Sequence, residues 1–96
     1  MQLTRFRHKG LRLLHEDGNA KGVQPAMADK LRKLLFALET ADDLDQMNRF
    51  PGWKLHPLKG DLKGFWSLTV TGNWRLIFRY SEQTNDASDI DLIDYH

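Results

Sequence analysis

Apolar residues recur along this chain with two different periods, and the change from one to the other divides it. After Pro25, Met27, Leu31, Leu34, Leu35, Leu38 and Ala41 follow at spacings of four, three, one, three and three, an apolar stripe about one helix face wide. Pro25 suits the first helical position, where its missing N–H would have had no partner. Upstream, "HKGLRLLHEDG" (8–18) places Leu11, Leu14 and Glu16 for a short helix that Gly18 ends in a left-handed conformation. Such a short helix needs a packing partner. "TADDLDQM" (40–47) predicts a further helical turn, with Thr40 or Asp42 as its cap.

From residue 50 the period becomes two. Trp66, Leu68 and Val70 alternate with Ser67, Thr69 and Thr71, "TGN" (71–73) makes a hairpin turn, and Trp74, Leu76, Phe78 and Tyr80 alternate with Arg75, Ile77 and Arg79. "WKLHPLKGD" (53–61) reads as an edge strand that stops at Gly60, and "QLTRF" (2–6) as a short first strand. A polar loop beginning "SEQTND" leads to a last strand, "DIDLIDYH" (89–96). Strand, two helices, then four strands joined by short turns imply an α+β fold: a small, mainly antiparallel sheet with both helices on one side.

Composition narrows the class. With 96 residues, 41% of them hydrophobic and 28% charged, the chain has material for one packed core and no length for a second, so residues 1–96 read as a single domain. The net charge of +1 argues neither for nor against nucleic acid, but the charges are segregated. Residues 1–40 carry eight Lys and Arg against four acids, and residues 81–96 carry five acids and no base. There is no cysteine, hence no disulfide or thiolate chemistry, and neither a signal peptide nor a membrane span is evident, so the expected location is the cytoplasm.

Candidate chemistry gathers in the second half. Adjacent antiparallel strands lie close to ~5 Å apart, so His56, Lys59, Arg75, Asp94, Tyr95 and His96 could share one surface of the sheet. That would place two imidazoles, two cations, a phenol and a carboxylate within reach of one another. Singly, each has a plain structural role: a surface histidine, a turn lysine, an edge arginine, a rim tyrosine, a chain end.

Taken together, "KLHPLKGD", "GFWSLTVTGNWRLIF" and "LIDYH", with "FRHKGLRLLHEDG" upstream, resemble HigB-type toxins of bacterial type II toxin–antitoxin systems, within the RelE superfamily. The resemblance spans nearly the whole chain and implies a RelE-like, microbial-ribonuclease-like fold. It also implies a ribosome-dependent endoribonuclease that cleaves message in the ribosomal A site without metal or cofactor. Implied partners are a HigA-type helix-turn-helix antitoxin, the 70S ribosome with its mRNA, and operator DNA only through the antitoxin, with no membrane. The family's functional positions fall on His56, Lys59, Arg75, Asp94, Tyr95 and His96.

On this resemblance His56 and His96 form the proton-transfer pair, with base and acid unassigned. Asp94 orients or charge-stabilises one of them, Lys59 and Arg75 hold the phosphate, and Tyr95 stacks on or hydrogen-bonds to a base. The α-carboxylate on His96 is expected to favour its imidazolium, so that added C-terminal residues impair activity more than added N-terminal ones. Lys9, Arg12, Lys30, Arg32, Lys33 and Lys54 are candidates for meeting ribosomal RNA. Two alternatives stand beside this one: a non-catalytic RNA- or DNA-binding domain, and, less favoured for want of an HxxxH pair or cysteine, a metal hydrolase built on His8, His15, His56 and His96.

Overall fold

The protein is described by a computed structural model covering residues 1–95. Strand β1 (Gln2–Leu3) leads through a short loop to helix α1 (Lys9–Asp17), and helix α2 (Pro25–Thr40) follows. Strands β2 (His56–Pro57), β3 (Trp66–Thr69), β4 (Trp74–Ser81) and β5 (Asp86–Asp94) complete a sheet in the order β1-β5-β4-β3-β2. β1 runs parallel to β5 and the other neighbours are antiparallel, as expected of a mainly antiparallel α+β sheet.

Both helices form where the apolar stripes place them. The His8 ring nitrogen Nδ1 accepts from the Leu11 amide at 3.1 Å and caps α1, while Gly18 (φ 68°) ends it, its amide donating to the Leu14 carbonyl. Pro25 opens α2, and Met27, Ala28, Leu31, Leu34, Leu35 and Leu38 are its buried side. These meet Leu68, Leu76, Phe78, Ile90 and Leu92 from the sheet in the main core. Where α1 begins, Gly10 lies against Gly22 so closely that a Cβ on Gly10 would stand 2.2 Å from the Gly22 carbonyl oxygen. Neither position has room for a side chain.

Four local expectations need correction. The turn after α2 is a 3₁₀ helix (Leu44–Arg49) capped by Asp43, whose carboxylate accepts from the Gln46 amide at 3.1 Å; Gln46 accepts in return from the Asp42 amide. Thr40 instead turns its hydroxyl back to the Phe36 carbonyl. Strand β1 covers Gln2–Leu3 rather than 2–6, with Phe6 rejoining β5 in an isolated bridge to Ile90. The edge strand expected over 53–61 shrinks to His56–Pro57, because Lys54 before it is left-handed (φ 50°), Pro57 has no N–H to donate, and Gly60 turns the chain at φ 64°.

The last strand, in contrast, starts at Asp86, three residues before the expected Asp89. Asn85 takes φ 51° and accepts from the Tyr80 hydroxyl at 2.7 Å, closing a tight connection from β4 to β5. Within β5 the register slips: Ile77 pairs with Asp91 but Arg79 with Ser88, so Phe78 faces both Asp89 and Ile90 across a bulge.

Cross-strand alternation gives the sheet two dissimilar faces. One carries the main core and the helices. On the other, Leu58, Phe65 and Ile77 are buried together with help from Leu62 and Ile93, because the loop from Leu58 to Phe65 folds over the strands. No helix among the described residues is long and apolar enough to cross a membrane.

Candidate active site on the open face of the sheet

The register decides which expected site residues share a face. His56 pairs with Ser67, Ser67 with Ile77, and Ile77 with Asp91, so these four form one row across the open face. Thr69, Arg75 and Ile93 form the next row. Beyond it the Tyr95 amide donates to the Asn73 carbonyl at 2.7 Å, which by alternation from Ile93 brings Tyr95 to the same face, where it is exposed. Across two strand spacings and two residues, the backbones of His56 and Arg75 stand ~12 Å apart, a gap their side chains can shorten from both ends.

His56 is held from below. The left-handed backbone of Lys54 turns its carbonyl toward the ring, and His56 Nδ1 lies 2.9 Å from that oxygen. A carbonyl can only accept, so the contact puts a proton on Nδ1 and leaves Nε2 of the neutral ring as the atom carrying a lone pair. The imidazole is exposed, at the edge of the sheet. Pro57 next to it stiffens the edge.

Lys59 is placed by the second apolar cluster. Leu58 goes inward, and its amide donates to the Phe65 carbonyl at 2.9 Å, closing the loop, while Lys59 and Gly60 stay exposed at its turn. Arg75 is fixed by the hairpin: its Nη1 donates to the carbonyls of Thr71 (2.8 Å), Gly72 (3.1 Å) and Trp74 (3.1 Å). One end of the guanidinium is thereby anchored on the turn that the "TGN" stretch makes.

Of the other two expected members, only Asp94 is among the described residues. Asp94 pairs with Trp74, and the pleat assigns that pair to the helix-bearing side at the end of the sheet. His96 lies outside the described residues. The six basic residues expected to meet ribosomal RNA are also divided. Helices α1 and α2, with Lys9, Arg12, Lys30, Arg32 and Lys33, lie on the opposite side of the sheet from His56 and Arg75, and Arg12 pairs with Glu16 at 3.5 Å and Arg32 with Asp29 at 3.1 Å. Lys30 sits 5.3 Å over the Trp53 ring, and Lys54 is exposed beside His56.

The remaining described histidines have local partners: His8 caps α1, and His15 Nε2 meets Glu39 at 2.9 Å across the two helices. Among the described residues, no three His, Cys, Asp or Glu side chains come together in a way that could hold a metal ion. A groove lined by Asp43, Asp45 and Glu82 with Leu55, Trp66 and Tyr80 has the wrong sign for a phosphate.

Sequence reasoning overlooked two features of the open face. Ser67, cross-strand from His56, is wholly buried, and its Oγ finds no hydrogen-bond partner among the described residues. Arg79 was read only as part of an alternation and Arg5 and Arg7 only as part of the N-terminal basic count, although the "RFR" at 5–7 was a signal available in the sequence. All three arginines surround one buried carboxylate, Asp89. A hydrogen bond from Arg5, with the nearby charges of Arg5, Arg7 and Arg79, holds Asp89 below the usual carboxylate range despite the opposing effect of burial.

Comparison with known proteins places the chain in a family. The family model described as a RelE-like toxin of the type II toxin–antitoxin system HigB matches residues 4–96. The chain is 44% identical over 91 residues to Endoribonuclease HigB of Proteus vulgaris, covering 95% of this chain and 96% of that one. In fold it is similar to YafQ of E. coli strain BL21(DE3) (TM-score 0.59, 18% identity, 96% of this chain and 91% of that one). It is also similar to a YoeB/ParE toxin of Agrobacterium tumefaciens (TM-score 0.54, 20% identity, 100% and 99% covered). The chain belongs to the HigB family of RelE-like toxins from type II toxin–antitoxin systems.

Proposed function

We propose that this toxin is an endoribonuclease that enters the ribosomal A site and cuts the message there, with a HigA-type antitoxin as its inhibitor and the cytoplasm as its place of action. The observation that carries it is His56: an exposed imidazole with Nδ1 tied to a backbone carbonyl, on the same face of the sheet as Arg75 and Tyr95, in a chain 44% identical to an endoribonuclease.

RNA cleavage by 2′-hydroxyl attack needs a base for that proton, positive charge at the phosphorane, and an acid for the departing 5′-oxygen. In the tautomer that the Lys54 carbonyl selects, His56 Nε2 is the base. Arg75, braced by three hairpin carbonyls, keeps further N–H donors for a non-bridging oxygen, and Lys59 adds a second cation. Tyr95 offers a ring for a nucleobase, and His96 is the acid that remains. The products are a 2′,3′-cyclic phosphate or its 3′-phosphate and a 5′-hydroxyl, with no metal or cofactor required. Acid–base groups contribute roughly 10²–10⁴ each, and a lost charge-stabilising donor costs roughly 10²–10³. Alignment of the message by the ribosome supplies the rest. Contact with operator DNA is assigned to the antitoxin.

Induced expression with mapping of message ends tests this directly. Cuts should fall within translated codons, vanish when initiation is blocked, and vanish with His56→Gln. Undiminished growth arrest and cleavage by His56→Gln would favour a non-catalytic nucleic-acid-binding domain instead.

A further inference from the structure

The bulge in β5 has an assembly around it that the chemistry above does not use. Ile90 keeps its place in the main core, so the extra residue, Asp89, must leave the ladder; it takes φ 49°, a region in which aspartate is better tolerated than most residues. Its carboxylate is nine-tenths buried. One oxygen accepts from Arg5 Nε at 2.7 Å and the other lies 3.4 Å from Arg79 Nε.

The Arg79 guanidinium then lies 4.4 Å from the centroid of the Phe65 ring, and that of Arg7 5.2 Å from the same ring. Three guanidiniums thus surround a single carboxylate, three charges against one. Asp89 needs only Arg5 to be paired, so this excess of like charge is more than the fold requires. It becomes favourable when an anion lies across the arginines. Asp89 grips both Arg5 and Arg79 through Nε, a hold that does not use the Nη fork, the part of arginine that matches a phosphate. All three side chains are exposed.

Position supports the same occupant. Arg79 and Arg75 lie on one face of β4, four residues and so ~13 Å apart. A strand of RNA whose cut phosphate sits at Arg75 and His56 passes over Arg79 if it runs along β4. We infer that Arg5, Arg7 and Arg79, gathered by Asp89 and Phe65, form a ledge that holds backbone phosphates of the message a few nucleotides from the cut. This rests on the endoribonuclease function proposed above.

The test crosses protein charge with RNA charge. Programmed ribosomes carry messages in which one linkage at a time, on either side of the cut codon, is a neutral methylphosphonate, and cleavage is measured for the parent, Arg7→Gln and Arg79→Gln. Arg7 is outside the ion pair, and Arg79→Gln leaves Asp89 with Arg5, so thermal melting should show both variants folded. Each variant should cleave the normal message about tenfold more slowly, the effect of one lost charge-assisted contact. At one or two linkages, neutralising the phosphate should slow the parent by a similar factor and the variants no further. Effects that multiply independently at every linkage, or variants as fast as the parent whose inhibition by the antitoxin is weakened, would overturn the ledge. A parent that cuts no message on ribosomes would instead refute the underlying function.

Discussion

Leu58→Ala separates what the second apolar cluster does for the fold from what it does for the site. Leu58 is 5% exposed and packs with Phe65 and Ile77 on the open face, between His56 and Lys59 in sequence. Truncating a buried leucine costs about 2–5 kcal/mol. This cluster is small and its loop can settle into the space, so the lower end, about 2–3 kcal/mol, applies. A domain stable by even 5 kcal/mol would then remain all but about 3% folded. The loop bearing Lys59 would nevertheless lose its anchor, and cleavage should fall roughly tenfold, part of the loss expected for a charge-stabilising donor.

Leu34→Ala is the comparison. Leu34 is fully buried in the main core beneath the helices, and its truncation should cost at least as much stability while leaving activity per folded molecule near that of the parent. Urea unfolding gives the two stabilities, and cleavage on programmed ribosomes gives the two rates. If both variants lose activity in proportion to their loss of stability, the second cluster has no special bearing on the site.

Other outcomes follow from single contacts. Asp89 has a folded-state pKa below its unfolded value, so its pairing stabilises the protein above the ordinary carboxylate range and is lost as pH falls through the depressed value. Asp89→Asn should therefore flatten the acid limb of a stability–pH curve below about pH 4, and an unchanged limb would contradict the pairing. Arg75→Lys keeps the charge but cannot both hold the hairpin carbonyls and present a fork, so cleavage should fall by roughly 10² with little loss of stability, read in the same two assays. Asp43→Ala removes a cap and should cost about 1 kcal/mol in urea unfolding.

The helices and the central hairpin were legible because their signals are local. Pro25 and the leucines after it specify α2, and alternation on either side of the 71–73 turn specifies β3 and β4. Harder to read were features set by residues distant in sequence. Ile77 looked like an outward position between Arg75 and Arg79, yet it is 1% exposed because the 58–65 loop covers it. The edge strand was over-read because Trp53, Leu55 and Leu58, interleaved with polar residues, suggested a half-buried strand, whereas the left-handed Lys54 and Pro57 limit it to two residues. Asp89 looked like the first residue of a strand. It is the bulge within one, and only the fold brings Arg5 and Arg79 to it. The charges along the helices were legible by counting, whereas their place on the side of the sheet opposite His56 is set by topology. The candidate site itself was legible through the spacing of "KLHPLKGD" and "NWR", since the register of β2, β3 and β4 brings His56 and Arg75 to one face.

The most direct measurement is single-turnover cleavage of a defined message on programmed ribosomes, with the chemistry of both new ends determined, for the parent and for His56→Gln. A base at His56 Nε2 requires a 2′,3′-cyclic phosphate or its 3′-phosphate and a 5′-hydroxyl, and a rate lowered by roughly 10² or more in the variant. Ends carrying a 3′-hydroxyl and a 5′-phosphate, or a variant as fast as the parent, would contradict it.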